Sequence, residues 1–334
     1  VTRSPTELLA RSTRVRAWEI VIWLVAAGAW FLLPQQSPLF NEIAILALFA
    51  VSLDLILGYA GIVSLGHAAF FGVGAYAAAL FAKHVMGDPL VGLAVGAACA
   101  ALVGLLTSPL VLRGSDLTRL MVTLGVALIL FELANRFDNI TGGADGLQGV
   151  VIAPLLGMFP FGLSGRTAYA YSLIVLFVLV LLARRLVHSP FGYSLEAIRD
   201  NRMRATAIGI PVPARLAAIY TIAAAYAGAA GAVLAQTTGF ASLDVLDFHR
   251  SADVMLMVII GGTGYLYGGL IGAVVFRLLY DILSHWTTTY WQFWLGLILV
   301  VLVLVGHERL VRPFHALADA LRRRGQPPAD EARP

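Results

Sequence analysis

The chain has 334 residues, 59% hydrophobic and 13% charged, with 23 Lys plus Arg against 19 Asp plus Glu and a mean hydropathy of +0.84. Soluble domains carry roughly 25% charged residues, so this composition excludes one and points to an all-α, polytopic transmembrane helical bundle. The single cysteine, Cys99, lies in an apolar run, which excludes an intramolecular disulfide and a Cys-rich metal site.

Residues 1–17 form a basic segment in which Arg3, Arg11, Arg14 and Arg16 precede the apolar run Trp18 to Leu33. That order resembles a signal peptide, but Pro34 and Gln35 follow in place of a small-residue cleavage site, so an uncleaved first span is expected. Further spans are expected at Asn41 to Gly58, Ile62 to Ala82, Leu90 to Leu112, Leu120 to Phe137 and Ala168 to Ala183. After a polar stretch come Leu216 to Thr238, Val254 to Tyr267, Gly269 to Leu283 and Tyr290 to Gly306. Several are shorter than the ~20 residues that cross a bilayer core, which predicts kinked, broken or partly re-entrant helices. Val254 to Leu283 reads as one long tilted helix or two short ones, and Gly261, Gly262, Gly264, Gly268 and Gly269 offer the turn between two. The transmembrane domain is then 18–306, with about ten spans. If the amino terminus is cytoplasmic, eighteen basic residues fall inside, and Lys83, Arg136, Arg166 and Arg250 fall outside. That bias matches the positive-inside rule and places both termini in the cytoplasm.

The least ordinary apolar stretch is residues 53–80, LDLILGYAGIVSLGHAAFFGVGAYAAAL. Gly58, Gly61, Gly66, Gly72 and Gly74 allow close backbone approach and a helix break, where polar backbone can line a path. Ser64 and His67 lie in the same stretch; an intramembrane histidine more often serves packing than ligation. Asp54, Glu132, Asp253 and Arg277 are costly in hydrocarbon and are expected to face the bundle interior or to pair.

Between spans, residues 184–215 form a cytoplasmic loop that contains HSPFGYSLEAIRDNRMRATAIGIP, His188 to Pro213. Ser194 can cap a short helix with Glu196 in its first turn, followed by Arg199, Asp200, Arg202 and Arg204, before Gly209 and Pro211 end it. Such a helix is too short and too charged to cross a bilayer, but long enough to lie in a partner's groove. An ordinary solvated loop would have the same composition. Two outer connections, Asp138 to Ala168 with its TGGADG (Thr141 to Gly146) and Thr238 to Asp253, are long enough to receive a soluble delivery protein, or are plain loops. In the segment 307–334, Leu310, Phe314, Leu317 and Leu321 recur at helical spacing among arginines, as in a helix on the inner membrane surface, followed by a disordered tail.

Several chemistries lack their residues. Lys83 is followed by His84, so no P-loop for ATP is present. Tyr267 occupies the third glycine position of a dinucleotide loop in GGTGYLYGG. Only His67 is placed for membrane haem ligation, Ser164 of GLSG falls in an expected outer loop, and Tyr280-Asp281 lacks the second element of an aspartyl protease. No enzyme activity and no metal site are expected.

Three motifs in order, LGYAGIVSLGHAAFFGVGAYAAAL, GYSLEAIRDNRMRATAIGI and IIGGTGYLYGGLIGA, resemble the LivM-type permease subunit of bacterial branched-chain amino acid ABC importers over about residues 40–306. The resemblance implies a multi-pass protein of the bacterial inner membrane, working with a second related permease, two cytoplasmic ATP-binding cassette subunits that use ATP and Mg, and a periplasmic solute-binding protein. This chain itself would hold no cofactor. By position, Glu196, Ala197, Arg199, Asp200, Asn201, Arg202, Arg204 and Ala205 would form the ATPase-coupling segment, and Gly61, Ser64, His67 and Gly72 would lie on the translocation path. The implied cargo is a branched-chain or other hydrophobic amino acid, with urea or a short amide as the alternative within the family; an ion-coupled secondary transporter using Asp54, Glu132 or Asp253 is the alternative outside it. Two departures stand out: Gly268-Gly269 where members often have Gly-Pro, and Ile198 after Glu196-Ala197 in a half-matched importer signature.

Overall fold

The computed structural model describes residues 17–162 and 164–286 and a few positions from 290 to 300. The segments 1–16 and 307–334 and most of the span expected from Tyr290 to Gly306 lie outside the described residues. Two compact units divide the chain after Arg277. In the second, the described helical turn is closed by Ser284 Oγ and His285 Nδ1 against the Asp281 carbonyl, at 3.0 and 2.8 Å.

The regular elements among the described residues are helices, with isolated bridges in place of a sheet. In order they are α1 (Ala17–Leu32), α2 (Ser37–Leu57), α3 (Ala68–His84), α4 (Pro89–Val111), α5 (Asp116–Arg136), the single turn α6 (Asp138–Thr141), α7 (Arg166–Val187), α8 (Pro190–Asp200), α9 (Arg202–Ala207), α10 (Val212–Thr238), α11 (Phe248–Gly261) and α12 (Gly268–Trp286). Six helical stretches among the described residues are long and apolar enough to cross a membrane: Pro34–Leu57, Pro89–Val111, Asp116–Arg136, Arg166–Val187, Val212–Thr238 and Gly268–Trp286. This is a multi-pass membrane bundle.

Local chemistry sets the boundaries. Asp88 caps α4 by accepting from Leu90 N at 2.8 Å and Val91 N at 3.1 Å, with Pro89 in the first turn where its missing N–H costs nothing. Gly239, at φ +65°, ends α10 in a left-handed cap. The hub is α10, which packs against α4, α3 and α2 through small residues. A Cβ on Gly74 would lie 2.1 Å from the Gly228 carbonyl oxygen, and one on Gly231 would lie 1.8 Å from that of Phe71. Backbones this close maximise dispersion contact, which drives helix association in lipid.

Four expectations need correction. The span expected from Ile62 to Ala82 is helical only from Ala68; residues 58–67 are a buried non-helical stretch. Its backbone groups are taken up sideways, Leu65 N by Thr123 Oγ1 at 3.2 Å and Ala68 N by Ser251 Oγ at 2.9 Å, as burial in an apolar medium requires. The polar helix starts at Ser189, whose Oγ accepts from Gly192 N, and not at Ser194, which lies inside the helix and donates to the Phe191 carbonyl at 2.6 Å. It also divides at Asn201, extended at φ −158°, whose side chain accepts from Arg204 N and caps α9. Glu132 is exposed on α5 instead of facing the interior. The glycine turn does divide Val254 to Leu283 into two helices, α11 and α12.

Candidate functional site

Helix α8 ends against both helix breaks. The Arg199 guanidinium donates through Nη1 to the Gly58 carbonyl, where α2 stops. A Cβ on Gly61, at φ +67°, would sit 3.0 Å from Arg199 Cγ, and one on Gly264, at φ +76°, would sit 3.2 Å from Arg199 Nη1. Both glycines therefore supply a left-handed backbone and the space the arginine occupies. The fully buried Asp54 Oδ1 accepts from Gly264 N at 2.8 Å, tying the end of α2 to the turn between α11 and α12. The three glycine-rich or charged motifs, far apart in the chain, meet at one arginine.

The rest of the polar segment sorts by exposure. Leu195, Ile198 and Ala205 are buried and anchor α8 and α9, while Arg199, Asp200, Asn201, Arg202 and Arg204 are exposed, with Glu196 and Ala197 between. Met203 and Ile208 are 82% and 74% exposed among those charges. Met203 lies in α9 and Ile208 caps its end, and nothing in the sequence marks them as facing outward. A cleft of about 560 Å³ separates this segment from the start of α5, where Arg119 pairs with Asp116 at 2.7 Å. A second, of about 330 Å³, lies between Tyr193 and Glu196 on one side and Tyr265 and Tyr267 on the other, beside the Arg184 to Glu19 ion pair that ties α7 to α1.

The residues expected on a path lie deeper. Gly61 faces Arg199; Ser64 and His67 are 1% and 0% exposed. The His67 Nε2 is 2.9 Å from Ser52 Oγ, and the ring stacks on Phe49 at 5.7 Å. Gly72 meets the side chain of Leu246, a Cβ there lying 2.3 Å from its Cδ2. The intramembrane charges have their own settings: Arg277 pairs with Glu42 at 2.9 Å, and Asp253 is partly buried close to Arg250 and His249.

The opposite end of the bundle is closed by the connection 147–165. Leu147 N donates to the Ala241 carbonyl at 2.7 Å, Ala153 N to that of Gly87 at 2.9 Å, and Gly165 abuts Pro38. This strap roofs a cleft of about 700 Å³ between the start of α2, the end of α10 and Arg250 of α11. Beside it, Ser172 Oγ donates to Asn41 Oδ1, Asn41 Nδ2 to Thr237 Oγ1 at 3.3 Å, and Tyr171 OH to Gln236 Oε1 at 2.8 Å. These polar residues come from three helices far apart in the chain, so the cleft has no local signature in the sequence.

Comparison with known proteins bears on what these two ends do. Residues 37–305 match the family model described as branched-chain amino acid transport system / permease component. The chain is 31% identical over 282 residues to the high-affinity branched-chain amino acid transport system permease protein LivM of Salmonella typhimurium, covering 75% of this chain and 65% of that protein. It is 31% identical over 288 residues to LivM of Escherichia coli, covering 77% and 66%. A probable branched-chain amino acid transport permease protein LivH of Methanocaldococcus jannaschii is 26% identical over 250 residues, covering 72% and 78%. The aligned region thus spans just under two thirds of either LivM protein's own length. No solved structure matches the chain.

Proposed function

This chain belongs to the branched-chain amino acid transport permease family of ABC importers, a family of non-catalytic membrane subunits, and we propose that it is one of two permeases through which partner ATPases drive hydrophobic amino acids across the inner membrane. The two cytoplasmic ATPases would bind ATP and Mg, a periplasmic solute-binding protein would deliver the cargo, and both chain termini would face the cytoplasm. Segment 184–215 is then the ATPase-coupling loop.

The observation that carries the proposal is Arg199. A handle that is only a solvated loop has no reason to insert a guanidinium between the end of α2 and the α11–α12 turn. Placed there, it converts a displacement of α8 into a displacement of two helix breaks, the elements best able to move without unpacking the bundle. Exposed Met203, flanked by Arg202 and Arg204, and exposed Ile208 at the end of α9 supply apolar contacts beside charge for the ATPase groove. Asp54 is engaged with Gly264 N, which favours a structural task for it over ion coupling.

The test is co-purification of the tagged chain with the permease and ATPases encoded beside it. Met203→Glu with Ile208→Glu should abolish ATPase recovery while the bundle still inserts. Recovery unchanged by both substitutions refutes the docking face, and a wild-type chain that never brings ATPases with it refutes the importer.

A further inference from the structure

The cleft under the strap has a composition that selects a ligand. The lining includes the Glu42 carboxylate from the second turn of α2, the Arg250 guanidinium from α11, and the apolar side chains of Ile45, Phe71 and Leu234. Its volume of about 700 Å³ suits a small molecule. Both charges are held in place and keep capacity to spare: Glu42 accepts from Arg277 at 2.9 Å, and Arg250 donates to Asp244 through Nε at 3.0 Å and Nη2 at 2.5 Å. A carboxylate offers about four acceptor sites and a guanidinium five donors.

We propose that this cleft is the permease's solute-receiving site and that it takes an α-amino acid as a zwitterion, the ammonium toward Glu42, the carboxylate toward Arg250 and an apolar side chain against Ile45 and Phe71. The proposal rests on the importer reading, which places the strap on the periplasmic side. Opposite charges from separate helices beside apolar side chains match a molecule that is itself doubly charged at one end and oily at the other. Urea or a short amide would use neither charge fully. The strap's outer surface exposes Val151 and Met158, at 75% and 72%, so a delivery protein resting there would release its cargo next to the cleft.

The experiment uses the permease–ATPase complex purified without receptor, carrying Thr238→Cys at the rim of the cleft in a Cys99→Ala background. Labelling by a bulky maleimide is timed with millimolar L-leucine, N-acetyl-L-leucine (no ammonium), L-leucinamide (no carboxylate) or acetamide. L-leucine should slow labelling, N-acetyl-L-leucine and L-leucinamide should each protect about tenfold less well, the worth of one charge-assisted hydrogen bond, and acetamide, without either charge or the side chain, less well still. Glu42→Gln should erase the discrimination against N-acetyl-leucine alone, and Arg250→Gln that against leucinamide alone. No protection by L-leucine in a complex that retains its ATPases overturns the site, and equal protection by acetamide overturns the zwitterion. Absence of ATPases from the preparation overturns the importer reading and the site with it.

Discussion

Arg199→Ala is the perturbation that separates transmission from docking. The substitution removes a charged donor from the Gly58 carbonyl and empties the space against Gly61 and Gly264. A hydrogen bond to a charged group contributes about 1.5–3 kcal/mol when buried. The Arg199 side chain is 40% exposed, so solvent screening reduces this to about 1–1.5 kcal/mol, or roughly tenfold in the equilibrium that links α8 to the breaks. The docking residues Met203 and Ile208 are untouched. In reconstituted importer, Arg199→Ala should therefore bind its ATPases as before, and receptor-stimulated ATP hydrolysis should continue, while solute moved per ATP falls about tenfold. Arg199→Lys should fall between, because an ammonium reaches one carbonyl but lacks the planar fork that also lies along Gly264. Unchanged solute per ATP in the alanine variant refutes the linkage, and loss of ATPase binding moves Arg199 from the linkage to the interface.

Other outcomes follow from the packing and the polar ends. Gly228→Ala puts a methyl 2.3 Å from the Ala100 Cβ and should lower the detergent melting temperature by an overpacking cost of about 1–3 kcal/mol. Gly125→Ala, with nothing within 4 Å, should be neutral or stabilising by up to ~1 kcal/mol through helix propensity. Asp54→Ala leaves the Gly264 N–H without its acceptor and should destabilise by about 1–3 kcal/mol; Asp54→Asn keeps an acceptor oxygen and should recover most of the loss in the same melting assay. At the strap end, the Asp247 carboxyl is held below its usual range by the backbone N–H and ring of His249, and Asp247 in turn raises the exposed His249. The histidine's contribution is complete below about pH 6.5 and is lost as pH rises through its higher folded value; the aspartate's is complete above about pH 3.9 and is lost as pH falls through its lower folded value. His249→Gln should therefore differ most from the wild type in melting temperature between these two pH values, and a difference constant from pH 4 to 9 refutes the pairing.

What the sequence makes legible here is local. Glycine clusters at 58–66 and 261–264 announce helix breaks, because only glycine adopts φ near +67° and +76° cheaply at Gly61 and Gly264. Apolar runs announce spans, and a charged stretch between them announces a handle. Boundaries inside the unusual stretch are less legible: Ile62 to Leu65 are mostly apolar, yet they are not helical, and Leu65 N is taken up by Thr123, remote in sequence. The Ser189 cap is equally hard to read, since Ser194 has equal capping chemistry and only Pro190, which follows Ser189 at the first helical position, distinguishes the two. Partners are least legible of all. Asp54 meets Gly264 across 210 residues and Arg199 meets Gly58 across 141, and no spacing rule reaches that far. The cleft under the strap joins Glu42, Arg250 and ordinary core residues from separate helices, and no pattern in the sequence brings them together.

The proposed coupling needs one stiff part and two yielding ones, and the structure supplies both kinds. Helix α10 has 27 residues, so it is roughly 40 Å long and connects the handle end to the strap end. Along it, Gly228, Gly231 and Ala232 bring the backbones of α3 and α4 into direct contact, and a close-packed seam of this kind has no room to slide without losing the contacts that hold it. Displacement of α8 cannot then be absorbed in α3, α4 or α10. It passes to the segments that α8 touches through Arg199: the non-helical stretch 58–67, with Ser64 and His67 buried on it, and the turn 262–267. Movement of the first would open the buried face around His67, and movement of the second would shift α11, which carries Arg250 beneath the strap. A shift at the handle would in this way reach the solute-receiving end through α11, so a disulfide fixing α11 to α3 at the level of Ala68 and Ser251, where Ala68 N and Ser251 Oγ lie 2.9 Å apart, should stop transport while leaving ATPase docking intact. Transport that survives the closed disulfide would show that α11 is not the moving part.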